Sequence, residues 1–228
     1  MKPALEYRLR IAYAKEGRGV YLSHLEIIRA LERTVRRAGL PYAITQGFSP
    51  HMRASFGPAL GLGIGSTCEY FDLIVTDFVA PDEALTRLQD AAPPLLPVLA
   101  CAYAAPKDPS LNAACTIFRY EVRGMPLVDG LVERICAIIE EPALALEQKG
   151  KTKEFVTEDV LPEGITHDDG IVCFTIRASE KGTLRPDALM RHLLGDEEYE
   201  RIQASLRYTR TDMLIEESES GAWIKPLE

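Results

Sequence analysis

Hydrophobic and polar positions alternate with a changing period along the first half of the chain, which predicts a succession of strands and helices. Residues 7–13 (YRLRIAY) alternate with period two, as a strand with one buried face does. Between Ser23 and Gly39 the apolar side chains recur with the spacing of one helix face. In chain order we predict a strand at 7–13, this helix, strands at 42–45 and 69–75, a helix at 81–89 and a strand at 98–103.

The helix that follows Ser23 has a marked start and two chemically different faces. Ser23 and Glu26 fit a capping box, in which a hydroxyl and a carboxylate each satisfy a free backbone N–H group. Gly39 and Pro41 mark its end. We expect Ile28, Leu31, Val35 and Ala38 to form the buried stripe, whereas Arg29, Arg33, Arg36 and Arg37 share another face.

The second half repeats this alternation after a short linker. Residues 106–113 are rich in turn formers, so we place the linker there, between a half at 1–105 and a half with a tail at 114–228. The second half has predicted strands at 116–122 and 171–177, helices at 131–139 and from 186 onward, and a hairpin region at 149–160. The predicted order is typical of the ferredoxin-like unit. We therefore predict an α+β fold of two tandem ferredoxin-like (βαββαβ) halves.

Composition indicates where the protein resides and which cofactors it can hold. The chain has 46% hydrophobic residues, and no apolar run reaches the roughly 18 residues that span a bilayer. The first residues also lack the apolar segment of a secretion signal, so we expect a cytoplasmic protein without membrane contact. The five cysteines are scattered without a C-x-x-C pair, which argues against a disulfide framework or a zinc knuckle. We predict no metal site and no cofactor.

Charge is distributed unevenly. The formal net charge is −8, which argues against nonspecific coating of nucleic acid. Residues 1–60, however, hold ten Lys and Arg against four Asp and Glu. The chain therefore has a basic region within an acidic protein.

The segment GFSPHMRASFGPALGLGIGS, residues 47–66, resembles a phosphate loop only superficially. It lacks G-K-[ST], and a strand-like sequence follows the glycines where a nucleotide-binding loop needs a helix. We interpret the glycines as turn and bulge residues. Phe48, His51 and Arg53 differ, because an aromatic ring, an imidazole and a guanidinium suit unstacked bases and phosphates.

Two further groups could contact RNA phosphates: the arginine face of the helix and the lysines of EQKGKTKEFV, which share one face if that stretch is a strand. Each group also has a plainer explanation. The arginines would be a solvated helix face and the lysines would protect an exposed strand edge. In the loop, Phe48 would belong to the core, His51 would cap a turn and Arg53 would be solvated. The candidate RNA-binding residues are Arg29, Arg33, Arg36, Arg37, Phe48, His51, Arg53, Lys149, Lys151 and Lys153.

His24 and His51 could instead form an acid–base pair for metal-independent RNA cleavage. One imidazole would take the 2′-hydroxyl proton and the other would protonate the leaving oxygen. His24 falls in the first helical turn, where the helix dipole disfavours an imidazolium. No G-x-S-x-G motif is present, so we do not predict serine-hydrolase chemistry.

Residues 21–73 resemble the signature of the radical-SAM-linked protein family, an uncharacterised bacterial domain, and GKTKEFVTEDVLP and GTLRPDALMRHLLG resemble its second half. Members are typically encoded beside, or fused to, a radical SAM protein, and some are joined to ribonuclease E/G-type sequences. Two positions depart from the family pattern: Glu26 stands where Asp is usual and Met52 where Pro is common. The family-typical residues are Ser23, His24, Leu25, Glu26, Arg33, Arg37, Gly47, Phe48, Pro50, His51, Gly63, Ser66 and Glu69.

The resemblance implies a role in RNA modification or processing. Because the chain lacks the C-x-x-x-C-x-x-C motif that ligates a radical SAM cluster, the resemblance implies a partner of that enzyme. Our leading hypothesis is an RNA-binding accessory protein that recruits tRNA or rRNA to a separate radical SAM enzyme. The alternatives are an endoribonuclease using His24 and His51, and a protein-interaction module that holds the enzyme without RNA contact.

Overall fold

A computed structural model describes residues 6–105, 107–126, 128–148 and 150–227. The chain is a mixed α+β protein whose helices alternate with mostly antiparallel strands. It divides into two compact units, which are residues 1–115 together with 213–228 (unit 1) and residues 116–212 (unit 2). Residues 213–228, which the sequence pattern assigns to the second half, lie in unit 1.

Unit 1 follows the predicted order of strands and helices, with one difference. Residues 42–45, predicted to be a strand, make only the isolated bridges Tyr42 to Val75 and Ile44 to Met52, and the second strand lies later in the chain. The elements are β1 (Tyr7–Lys15), a 3₁₀ helix (Gly17–Tyr21), α1 (His24–Arg37), β2 (Ala54–Phe56), β3 (Ile64–Val75), α2 (Pro81–Ala91), β4 (Val98–Ala104) and α3 (Leu111–Ala114).

The strands of unit 1 pair antiparallel in the order β4, β1, β3, β2. In the pairing of β1 with β3, Leu9 lies opposite Leu73 and Ile11 lies opposite Phe71. These side chains are almost fully buried and form the core against α1 and α2. Alternation along β1 thus supplies the predicted apolar face. The prediction that only one face is buried is wrong, because Arg10 and Ala12 on the other face are buried as well.

Helix α1 begins and packs largely as its sequence indicates. The capping box between Ser23 and Glu26 is confirmed, since the Glu26 carboxylate accepts the Ser23 backbone N–H at 2.9 Å and its hydroxyl at 2.7 Å. These hydrogen bonds lower the pKa of Glu26. Leu31, Val35 and Ala38 are buried as predicted, but Ile27 takes the deep position expected of Ile28, which is only partly buried.

Unit 2 is built on β5, whose Phe118, Tyr120 and Val122 lie opposite Ile176, Phe174 and Val172 of the neighbouring strand. One hairpin forms a separate two-stranded sheet. The elements are β5 (Cys115–Arg123), α4 (Leu131–Glu140), the hairpin of β6 (Ala143–Gln148) and β7 (Lys151–Val156), α5 (Thr157–Val160), β8 (Ile165–Asp168), β9 (Ile171–Arg177), α6 (Pro186–Leu194), α7 (Asp196–Ile202) and β10 (Arg207–Glu216). After β10, the short strand β11 (Trp223–Ile224) belongs to unit 1.

A buried ion pair joins the two central strands of unit 1. The guanidinium of Arg10 on β1 donates to both carboxylate oxygens of Asp72 on β3, at 2.8 and 3.1 Å. Its remaining NH1 group donates to the carbonyl of Pro226 at 3.0 Å. Arg10 and Asp72 are 4% and 2% exposed, so these partners replace the water that both charges lose.

We predict that Asp72→Ala destabilises the protein by about 3–5 kcal/mol, because it leaves the buried Arg10 charge without its counterion. The measurement is the free energy of unfolding in urea. The double variant Arg10→Met/Asp72→Leu removes both charges and should recover most of the loss. Equal losses in the two variants would contradict an electrostatic cause.

Candidate nucleic-acid interface

The arginines of α1 lie on its exposed face, as predicted. Arg29, Arg33 and Arg36 are spaced four and three residues apart, so their side chains project on one side of the helix. Leu25, which is 54% exposed, precedes them by one turn on the same side. The helix therefore presents a cationic surface that begins with one apolar side chain.

The four arginines differ in the partners that already hold them. Arg36 pairs with Glu32 at 3.3 Å in an exposed contact, which a polyanion can readily replace. Arg37 donates to the carbonyl of Ala91, the last residue of α2, at 2.6 Å. Its positive charge also interacts favourably with the negative end of the α2 helix dipole. Arg33 makes no hydrogen bond or ion pair with any residue that the structure describes. Arg29 adds a small charge effect to the Ser23 hydrogen bonds that lower the pKa of Glu26, and a polyanion can replace so weak a contact. Arg29 and Arg33 are thus the better phosphate ligands, whereas Arg37 stabilises α2.

Phe48 stands at the tip of a turn that we call the 44–52 loop, closed by the bridge between Ile44 and Met52. Met52 is buried in the core and anchors one end of the loop. At the tip the Phe48 side chain is fully exposed. Gly47 has φ of +144°, a conformation that favours glycine. The interpretation of Phe48 as a core residue is therefore wrong.

His51 closes the 44–52 loop from within. Its backbone N–H donates to the Thr45 hydroxyl at 3.1 Å, and its carbonyl accepts the Thr45 N–H at 2.8 Å. Its Nδ1 lies 3.1 Å from the Thr45 hydroxyl oxygen and 3.2 Å from the carbonyl oxygen of Ser49. One side of the imidazole is therefore occupied by contacts within the loop, and Nε2 is the ring nitrogen left to meet a ligand.

His24 lies in a different environment from His51. Its ring meets the ring of Phe56 edge-on, with centroids 5.9 Å apart, and Phe56 in turn stacks on Phe71 at 5.2 Å. No hydrogen bond within the described part of the chain joins His24 to His51. A direct acid–base pair gains no geometric support from these contacts.

Two other predicted phosphate ligands have protein partners. Arg53 forms an exposed ion pair with Glu6. On β7, Lys153 donates from Nζ to the carbonyl of Lys181 at 2.7 Å and so holds the neighbouring turn. Lys151 is exposed and lies two residues away on the same strand face, as the alternation predicts, while Lys149 lies outside the described residues.

The glycines after residue 56 form the turn that leads into β3. Gly63 has φ of +81° and donates its N–H to the carbonyl of Val20 at 2.8 Å, next to the 3₁₀ helix. A strand follows this turn, so the segment offers no helix N-terminus to an anion.

The sequence analysis missed one charge feature around these residues. Between Glu32 and Glu69 the chain contains no Asp or Glu, so the end of α1 and the whole 44–52 loop lack carboxylates. The sequence alone shows it, as an unusually long stretch without an acidic residue. It keeps local repulsion of a polyanion low.

Unit 2 contains a groove of about 390 Å³ that the sequence analysis also missed. Arg119 on β5 donates to both carboxylate oxygens of Glu163, at 3.0 and 3.2 Å, and the Thr175 hydroxyl on β9 donates to the same carboxylate. The Arg119 hydrogen bond lowers the pKa of Glu163. Burial raises the pKa of Cys173 at the same groove. The residues come from β5, from β9 and from the turn before β8, so no local sequence motif indicates them.

The described residues contain neither a metal-binding cluster nor a membrane-spanning helix. Within the described ranges, no three His, Cys, Asp or Glu side chains are grouped so that they could hold a metal ion. Among the same residues, none of the helices has both the length and the apolar character needed to cross a membrane.

Comparisons with known proteins identify a family but no activity. A family described as "Uncharacterized protein conserved in bacteria (DUF2344)" matches residues 8–186. No functionally curated protein matches the chain. One similar solved structure is described as "Crystal Structure of an Unknown Protein from Galdieria sulphuraria"; at 12% identity it covers 90% of this chain and 98% of its own, with a TM-score of 0.27. A TM-score this low supports no conclusion about fold or function.

The Arg119–Glu163 pair predicts a specific acid dependence. Because the folded-state pKa of Glu163 is lowered, its stabilising contribution is present above the ordinary Glu pKa of about 4.3 and is lost as the pH falls through the lower folded-state value. We expect Glu163→Gln to lower the urea midpoint modestly at pH 7, since both side chains are partly exposed, and to change it little at pH 3. Glu180→Gln, an exposed control, should have no effect at either pH. A loss that persists at pH 3 would contradict the ionic origin.

Proposed function

Because this chain belongs to the DUF2344 family of uncharacterized bacterial proteins, we propose its function from its own surface: it binds RNA and presents it to a separate radical SAM enzyme. The observation that carries the RNA part is the cationic face of α1, on which Arg29 and Arg33 project away from the core. The guanidinium groups would bind backbone phosphates, which supply most of the sequence-independent affinity of such complexes.

The charge distribution supports a local contact with RNA. The chain is acidic overall, so a polyanion is repelled by most of its surface and attracted to the region between Glu32 and Glu69, which has no carboxylate. An arrangement of this kind favours binding in one orientation over coating. A protein that presents RNA to an enzyme must hold the RNA in one orientation.

The enzyme partner rests on the resemblance to the radical-SAM-linked family. Its chemistry would belong to the partner, because this chain lacks the cysteine motif of a radical SAM cluster. Two ferredoxin-like halves remain part of this proposal. The antiparallel order β4, β1, β3, β2 in unit 1 supports the first half, while the separate β6–β7 sheet is an addition in the second.

Replacing Arg29 and Arg33 tests the RNA part. We predict that Arg29→Gln/Arg33→Gln weakens binding of total tRNA by about tenfold per arginine at low salt, since each charged hydrogen bond to phosphate is lost. The slope of log affinity against log salt should fall by about 1.4, at about 0.7 per phosphate on a single strand. Filter binding at several salt concentrations measures both quantities.

The matched control is Arg185→Gln/Arg201→Gln, which changes the net charge equally at exposed arginines of unit 2. It should leave affinity and slope near the wild-type values. Equal effects of the two double variants would show that net charge alone governs binding and would refute the α1 site.

Arg37→Gln tests the structural role of the fourth arginine. It should lower the melting temperature of the protein, because the hydrogen bond from Arg37 to the Ala91 carbonyl is lost.

A protein-docking surface is a second candidate function, favoured by exposed apolar side chains beside the glycine turn. Tyr21 and Leu62 are 67% and 68% exposed, and they flank the hydrogen bond between Gly63 and Val20. Exposed apolar side chains that lie together are typical of interaction sites. Such a surface would serve the enzyme partner while α1 holds RNA.

We predict that Tyr21→Ser/Leu62→Ser reduces co-purification of the radical SAM protein by at least about tenfold, because both side chains lose apolar contact area. The same variant should bind tRNA normally. Phe78→Ser, which changes an exposed ring elsewhere in unit 1, is the control. Normal co-purification of the Tyr21/Leu62 variant would exclude this surface.

A further inference from the structure

We propose that the 44–52 loop is a base-stacking element, so that the RNA class this protein recognises is unpaired: a single strand or a loop, not a continuous duplex. The inference rests on the proposed function and deepens it, because it names the substrate class. It concerns Phe48, whose ring lies at the tip of the loop.

The Phe48 ring is the most exposed of the large apolar side chains that the structure describes. Phe78 is also exposed, but it stacks on Tyr103 with centroids 5.0 Å apart and meets Tyr7 edge-on at 5.7 Å. Phe56 stacks on Phe71. Phe48 has no ring partner among the residues that the structure describes, so both of its faces are open to a planar ligand.

The loop backbone that carries this ring is restricted before any ligand arrives. The loop is restricted by the backbone hydrogen bond from Thr45 to His51 and by the hydrogen bond from the His51 N–H to the Thr45 hydroxyl. The contacts of the His51 ring with Thr45 and Ser49 and the buried Met52 restrict it further. Ordering a flexible segment costs affinity, so a ring presented by a restricted loop binds with a smaller entropic loss. The arrangement suits a ligand that needs one flat face in a fixed position.

The neighbours of Phe48 favour a nucleobase over a membrane or an apolar protein surface. Gln46, Gly47 and Ser49 flank the ring and are polar or lack a side chain, whereas membrane insertion needs a continuous apolar face. No Asp or Glu occurs from residue 33 to residue 68, which limits repulsion of the phosphates on each side of a stacked base, and the Glu6 carboxylate that meets this segment is neutralised by its ion pair with Arg53. An aromatic ring combined with positive charge, here Arg53 directly after the loop, is the pattern by which proteins hold single strands.

A duplex cannot use this element. Its bases stack on one another, and the deep major groove of an RNA helix is too narrow for side chains to read. An unpaired base offers a free face, and stacking on one aromatic side chain contributes binding free energy whatever the base is. The loop therefore distinguishes unpaired from paired RNA without reading sequence.

The experiment compares a single-stranded RNA of about a dozen nucleotides with a duplex of the same sequence, within the range of site sizes for such surfaces. The variants are Phe48→Ala, Phe48→Leu and Phe48→Trp in the full chain. We expect Phe48→Ala and Phe48→Leu to weaken single-strand binding at least about fivefold and Phe48→Trp to retain it. Duplex binding should not change. In a Trp223→Phe background, the fluorescence of the new tryptophan should be quenched by the single strand and not by the duplex.

Five results would overturn the inference. Wild-type affinity of Phe48→Leu would show that apolar bulk, not stacking, is required. Equal losses on single strand and duplex would show that pairing is not sensed. Loss of binding to anionic lipid vesicles, with RNA binding intact, would assign the ring to a membrane. No effect of any Phe48 variant, while Arg29→Gln/Arg33→Gln weakens binding, would refute stacking and leave the proposed function standing. Wild-type protein that binds neither the single strand nor the duplex would refute both the stacking inference and the proposed function.

Discussion

The buried ion pair between Arg10 and Asp72 sets the conditions under which unit 1 can form. A charge that loses its water must find compensating partners, and the two carboxylate oxygens and the Pro226 carbonyl supply them. The pair joins β1 to β3 on one face of the sheet, and the apolar core side chains of the same two strands lie on the other face. A shift of register between these strands would separate the charges and also move the apolar side chains to the wrong face.

That fixed sheet determines which way the candidate site points. The buried side chains Ile27, Leu31 and Val35 hold α1 against the sheet, so the arginines on its other side must face outward. The 44–52 loop is positioned in the same way, because Met52 belongs to the core. Helix face and loop are thus two surface features supported by the same sheet.

Local chemistry was predictable from the sequence, and contacts between distant segments were not. The capping box of α1 and the alternation along β1 depend on residues a few positions apart, so pattern alone finds them. Arg37 was predicted as a phosphate ligand but meets Ala91, which is 54 positions away. Lys153 likewise meets Lys181, at a separation of 28. An exposed Arg or Lys looks the same in a sequence whether it meets water, phosphate or a carbonyl, so its partner is known only from the fold.

The hydrogen bond from Arg10 to Pro226 spans 216 positions of sequence, and all of unit 2 lies between its two ends. During synthesis, Arg10 and Asp72 leave the ribosome long before the acceptor that completes their network. Closing so long a segment is also among the entropically slower steps of folding. Unit 2, which is one continuous stretch of chain, has no such delay. Unit 1, which carries the candidate RNA-binding surface, is therefore the first unit to be synthesised in part and the last to complete its fold.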